Sequence, residues 1–131
     1  MTKPTLNIYR CGSFQRTVQD DLPPLKTALK LLSGKNIRRI DRFTQLALIG
    51  ALTCNDGKAL SNRTGLFLSS SRCSLENTMG LLDELCREQR FPSPFKFVNT
   101  VGNAANFHVS QQLNLKANSL YLAKSQFALE S

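Results

Sequence analysis

No apolar run in the sequence approaches the ~20 residues that a membrane-spanning helix needs, and its opening Met-Thr-Lys-Pro lacks the basic-then-apolar pattern of a secretory signal. A cytoplasmic protein without a membrane span is expected. Four cysteines are present, Cys11, Cys54, Cys73 and Cys86, but they stand far apart with no C-x-x-C pair. That spacing argues against a zinc site or a disulfide framework, because isolated thiols on apolar faces behave as small hydrophobes. Neither a metal nor a cofactor is implied. Acidic residues are scarce, 9 against 17 Lys and Arg, which leaves a formal net charge of +8. A positive surface attracts polyanions. The cations at Lys26, Lys30, Lys35, Arg38, Arg39, Arg42, Arg87, Arg90 and Lys96 are spread out, however, without the interleaved aromatics of a base-stacking platform. They read as a solvated basic face, and no nucleic-acid partner is expected.

What remains is a chain of 131 residues that is 41% apolar, enough for one compact domain over residues 1–131. A chain this short buries a smaller share of its surface than a larger one, so a lasting partner is a natural source of extra stability.

Residues 5–11 alternate Leu6, Ile8 and Arg10 against Asn7 and Tyr9, the pattern of a first strand. Asp20, Asp21 and Pro23 mark a turn, and Pro24 opens a helix with Leu25, Ala28, Leu29 and Leu32 on one side, ended by Gly34. Asp41 is suited to cap a second helix, apolar on nearly every side from Phe43 to Leu52 and therefore buried; Asn55-Asp-Gly57 stops it. A short apolar strand follows at 64–71. Ser74 then caps a helix that packs by a stripe of Leu75, Met79, Leu82, Leu85 and Cys86. Its Glu76, Asp83, Glu84, Arg87 and Glu88 read as solvated surface rather than as a catalytic carboxylate pair. Phe91-Pro-Ser-Pro94 predicts a loop, since each proline disfavours helical backbone before it. A helix is expected from about Asn103, carrying Ala105, Val109 and Leu113, then a turn at 114–118, a strand at 119–123 and the start of a further helix at 124–131. Alternating helices and short apolar strands predict an α/β layered domain with both sheet faces covered.

Three segments, in order, resemble the amino-terminal half of the β-ketoacyl synthases. Residues 38–48, Arg-Arg-Ile-Asp-Arg-Phe-Thr-Gln-Leu-Ala-Leu, resemble the family's Arg-Arg-x-Asp-Arg-Phe opening to an early buried helix. Residues 103–110, Asn-Ala-Ala-Asn-Phe-His-Val-Ser, are similar to its Asn-x-x-x-x-His-Val/Ile-Ser segment, and 115–123, Leu-Lys-Ala-Asn-Ser-Leu-Tyr-Leu-Ala, to the Leu-Lys-Gly-Pro strand that leads to the nucleophile. Together with Gly65-Leu-Phe-Leu68 these cover 36–131; residues 1–35 match poorly.

The resemblance implies half of a thiolase-like fold, layered α/β/α with a mixed sheet, cut just after the nucleophile position. Counting from Lys116 without a gap, that position holds Gln126. A synthase needs a thiolate there, and a carboxamide cannot form the acyl thioester. Ala117 and Asn118 stand where the family has Gly-Pro, and Lys124 where a small residue is common. The resemblance therefore points to a chain-length-factor-like subunit with no catalytic residue. Such a subunit pairs as a heterodimer with a full-length ketosynthase, meets acyl carrier protein through that complex, and acts in type II polyketide, aryl polyene or fatty-acid-like synthesis.

The alternative is a glutamine-type decarboxylating ketosynthase, whole or as a fragment, priming synthesis from malonyl-carrier protein; it needs histidines this chain does not contain. The expected interface is Ser119, Leu120, Tyr121, Leu122 and Ala123, with Asn103 and His108. His108 matches a structural family histidine and is expected to be a satisfied buried group. Phe107, Phe97 and Phe95 are the candidates for a ring that closes the partner's acyl tunnel.

Overall fold

The computed structural model describes residues 5, 7–15 and 24–124. The order is α1 (Leu25–Ser33), α2 (Arg42–Asn55), β1 (Leu66–Ser70), α3 (Leu75–Cys86), α4 (Pro94–Val98), α5 (Ala104–Gln112) and β2 (Ser119–Ala123). The α/β class expected from the sequence is borne out. The turn at Asp20, Asp21 and Pro23, and the helix expected at the carboxy terminus beyond Lys124, lie outside the described residues.

Helix α2 is the centre. The Asp41 side chain accepts from Thr44 N at 3.0 Å and satisfies one of the free amides of its first turn. Its carboxy-terminal end turns at Asp56, left-handed at φ 52. Leu48 and Ile49 form the core with Leu29 of α1 and Val109 of α5, backed by Phe14, Ile40, Leu66 and Leu113. Gly34 ends α1 in the left-handed region at φ 67, where a side chain would be strained. The buried Gln45 is satisfied by donating from Nε2 to Ile40 O at 3.3 Å.

Strands β1 and β2 pair in parallel, Leu66 opposite Ser119 through Ser70 opposite Ala123. Where a mixed sheet was expected, the described residues form only this parallel pair. Alternation along a strand puts Leu66, Leu68 and Tyr121 on one face and Phe67, Leu120 and Leu122 on the other. The first face packs on the helices: Leu66 meets the core, and the Tyr121 ring meets Phe43 of α2 edge-on at 6.2 Å. The second face is open, with Phe67 73% exposed. The expectation of two covered faces is corrected accordingly.

Three further expectations are corrected. Residues 7–11 form no strand, and Ile8 and Tyr9 lie exposed; Leu6 is outside the described residues. Pro94 does not end structure but begins it: it occupies the first turn of α4, where its missing N–H is no loss, and Ser93 caps that turn by accepting from Lys96 N at 3.3 Å. Helix α3 begins after Ser74, whose side chain makes no cap bond, and its stripe of Leu75, Met79, Leu82, Leu85 and Cys86 faces outward. The packed side is instead Leu81 among polar groups. Asn77 Nδ2 donates to Lys96 O at 2.9 Å, and Lys96 Nζ pairs with Glu84 Oε1 at 2.6 Å, tying α3 to α4.

Candidate partner-binding surface

Strand β2 follows a turn in which Asn114 takes φ 53 and Leu115 N donates to Ser110 O at 2.8 Å, so that the chain reverses off α5 and enters the sheet beside β1. Leu120 and Leu122, 47% and 37% exposed, share the open face with Phe67, while Tyr121 points inward. Ser119 and Ala123 are also exposed. Asn103 stands exposed before α5, and its carbonyl accepts from Phe107 N at 3.2 Å.

Tyr121 is the most constrained side chain of the strand. Its ring fills the space beside Gly102, where an added Cβ would lie 2.5 Å from Cζ and 2.9 Å from Oη. The hydroxyl is buried without a hydrogen-bond partner among the described residues, with Cys73 and Ser70 close by. Burial, and then the Cys73 thiol, push its pKa up to about 12. Asn106 of α5 likewise buries its Oδ1 unpartnered, in the wall of the cavity between α5 and β2. The sequence offered one sign of this close packing, a glycine just before a helix, but not what approaches it.

Phe95, Phe97 and Phe107 come together on one cleft of about 530 Å3 with Arg38, Arg39 and His108. They are 50%, 61% and 62% exposed, so none is a core ring within the described residues. His108 is half-buried, stacks edge-on with Phe107 at 5.4 Å and makes no hydrogen bond among the described residues, which corrects the expectation of a satisfied buried group. Burial lowers its pKa and the Asp41 carboxylate partly opposes the shift. Gln126, at the expected nucleophile position, lies outside the described residues. No helix among the described residues is long and apolar enough to cross a membrane.

No family model matches the sequence, and no curated protein does. Among solved structures the chain is similar to the ishigamide ketosynthase/chain length factor, with a TM-score of 0.56 and 20% identity over 71% of this chain. The chain spans 29% of the length of that structure. The likeness shows the fold: an α/β segment of the ketosynthase/chain length factor architecture, as the sequence resemblance implied.

Proposed function

We propose that this chain is a non-catalytic, chain-length-factor-like subunit that docks on an active ketosynthase and stabilises it or shapes its acyl tunnel. The pathway would be of the type II polyketide, aryl polyene or fatty-acid-like kind, with acyl carrier protein met through the complex. The observation that carries the reading is the open face of the parallel sheet. Parallel strands are ordinarily covered on both faces, yet Phe67, Leu120 and Leu122 face outward together. The outward stripe of α3 adds Leu75, Met79, Leu82 and Leu85 to the apolar surface that a partner can cover. Apolar area of this kind marks interaction sites. The likeness in fold to a ketosynthase/chain length factor supports the nature of the partner, and Gln126 supports the lack of a nucleophile.

The experiment is co-expression with a full-length type II ketosynthase, followed by size-exclusion chromatography. Co-elution, lost on Leu122→Asp, is the expected result. A chain that elutes alone beside every ketosynthase tried argues against the reading.

A further inference from the structure

The cleft that gathers Phe95, Phe97 and Phe107 is lined by two cations, Arg38 and Arg39, and by no carboxylate. Of the acids of α3 and the turn after it, Asp83 pairs with Arg87, Glu88 with Arg90 and Glu84 with Lys96, and Glu76 lines a separate pocket beside Asp41 and Arg42. Arg38 and Arg39 have no ion pair among the described residues. Arg39 is already held. Its guanidinium carbon stands 4.4 Å over the Phe95 ring, a cation–π contact, and its carbonyl accepts from Asn99 Nδ2 at 3.0 Å. A guanidinium fixed in this way loses less freedom when it takes an anion, and its planar fork suits a carboxylate. The cleft's size, about 530 Å3, falls within the roughly 300–1,000 Å3 of small-molecule sites, which are apolar with a few placed polar groups.

We propose that this cleft binds a fatty-acid carboxylate, the head on Arg38 and Arg39 and the alkyl chain against Phe95, Phe97 and Phe107. Charge selects the occupant. An apolar slot lined by two cations and no carboxylate, with Asp41 near His108 but outside the lining, favours an amphiphile with an anionic head over a neutral or cationic one of the same length. The inference goes beyond the subunit reading and is tested without a ketosynthase, so the two fail separately.

The test is isothermal titration of the full chain with decanoate below its micellar range, beside acetate and decyltrimethylammonium. Saturable one-site binding of decanoate is expected, with acetate silent and the ammonium amphiphile at least about tenfold weaker, the scale of one lost charge-assisted hydrogen bond. Arg38→Gln and Arg39→Gln should each weaken decanoate by a similar factor, Phe97→Ala should weaken it too, and Lys30→Gln, a cation outside the cleft, should not. Equal binding of the ammonium amphiphile, an equal effect of Lys30→Gln, or no saturation by decanoate overturns the proposal. The comparison of ligands on the unaltered chain decides it even where a variant fails to fold.

Discussion

The ring of Tyr121 occupies the space in which any side chain on residue 102 would begin, with Cζ 2.5 Å from the place of a Cβ. This ties the loop before α5 to strand β2, residues far apart in sequence, through one absent methyl. Gly102→Ala should displace the ring and cost about 1–3 kcal/mol, the range for overpacking. In a Tyr121→Leu background the same change should cost less, because the clash is gone. Urea melts of the two singles and the double give the coupling; additive losses would show that Gly102 matters for another reason.

Tyr121→Phe should leave stability unchanged or raise it, since the hydroxyl it removes is buried with no hydrogen-bond partner among the described residues. Ionisation gives an independent readout. The chain has two tyrosines, so Tyr9→Phe leaves Tyr121 as the sole phenol, and its absorbance should titrate near the value of about 12 to which burial raises it. An unfolded tyrosine ionises near about 10. Between those values the unfolded chain gives up its proton first, so the contribution to stability is full below the lower value and is lost as pH rises through the upper.

Asp41 does two things that one substitution separates. Its Oδ1 caps α2 through Thr44 N, and its charge opposes the burial that lowers the His108 pKa. Asp41→Asn keeps a good capping acceptor and removes the charge, so it should change stability little while the His108 pKa falls further. Asp41→Ala should lose the cap as well, at about 1 kcal/mol. With a single histidine in the chain, the NMR titration of its ring is unambiguous. A lowered folded value means that stability is retained above an unfolded His value of about 6.5 and declines as pH falls through the folded one. An unmoved His108 titration in Asp41→Asn would remove the electrostatic link.

Phe107→Ala and Phe97→Ala should cost far less than the ~3–5 kcal/mol of a buried ring, because both rings are largely exposed. If a ring closes the tunnel of the partner, products of the reconstituted synthase should lengthen. Unchanged product length in both variants, with the complex intact, would leave the subunit a stabilising role alone.

The elements that the sequence made legible are those whose signals are local. Asp41, Gly34 and the Asn55-Asp-Gly57 turn bound their helices as capping chemistry dictates. Ser93-Pro94 carries a local signal too, but a proline breaks a helix from its interior and starts one from its first turn, and at Pro94 the position is the first turn. Helix α3 could not be oriented from its pattern. Periodicity shows that Leu75, Met79, Leu82 and Leu85 share a side, but not whether this chain supplies anything to cover it, and here the packed side is the polar one around Asn77 and Glu84. The alternation at 5–11 fails as a strand for a related reason: pattern gives the faces of a strand, not a neighbour to pair with. At the candidate surface, the opposite facing of Leu120 and Tyr121 followed from the period of two, whereas the meeting of Arg39 with Phe95 depends on a left-handed turn at Arg39, φ 61, that no residue preference announces.

The most direct test of the central claim is the mass of the complex formed when the chain is co-purified with a full-length type II ketosynthase, measured for the unaltered chain and for Leu120→Asp and Leu122→Asp. In the free chain both leucines are partly solvated, so each variant should fold with a nearly unchanged melting temperature. In the complex the aspartate would be a buried, unpaired charge, costing several kcal/mol. A stable assembly containing both polypeptides, abolished in each variant, is what the account predicts; an assembly that survives both substitutions, or none with the unaltered chain, would contradict it.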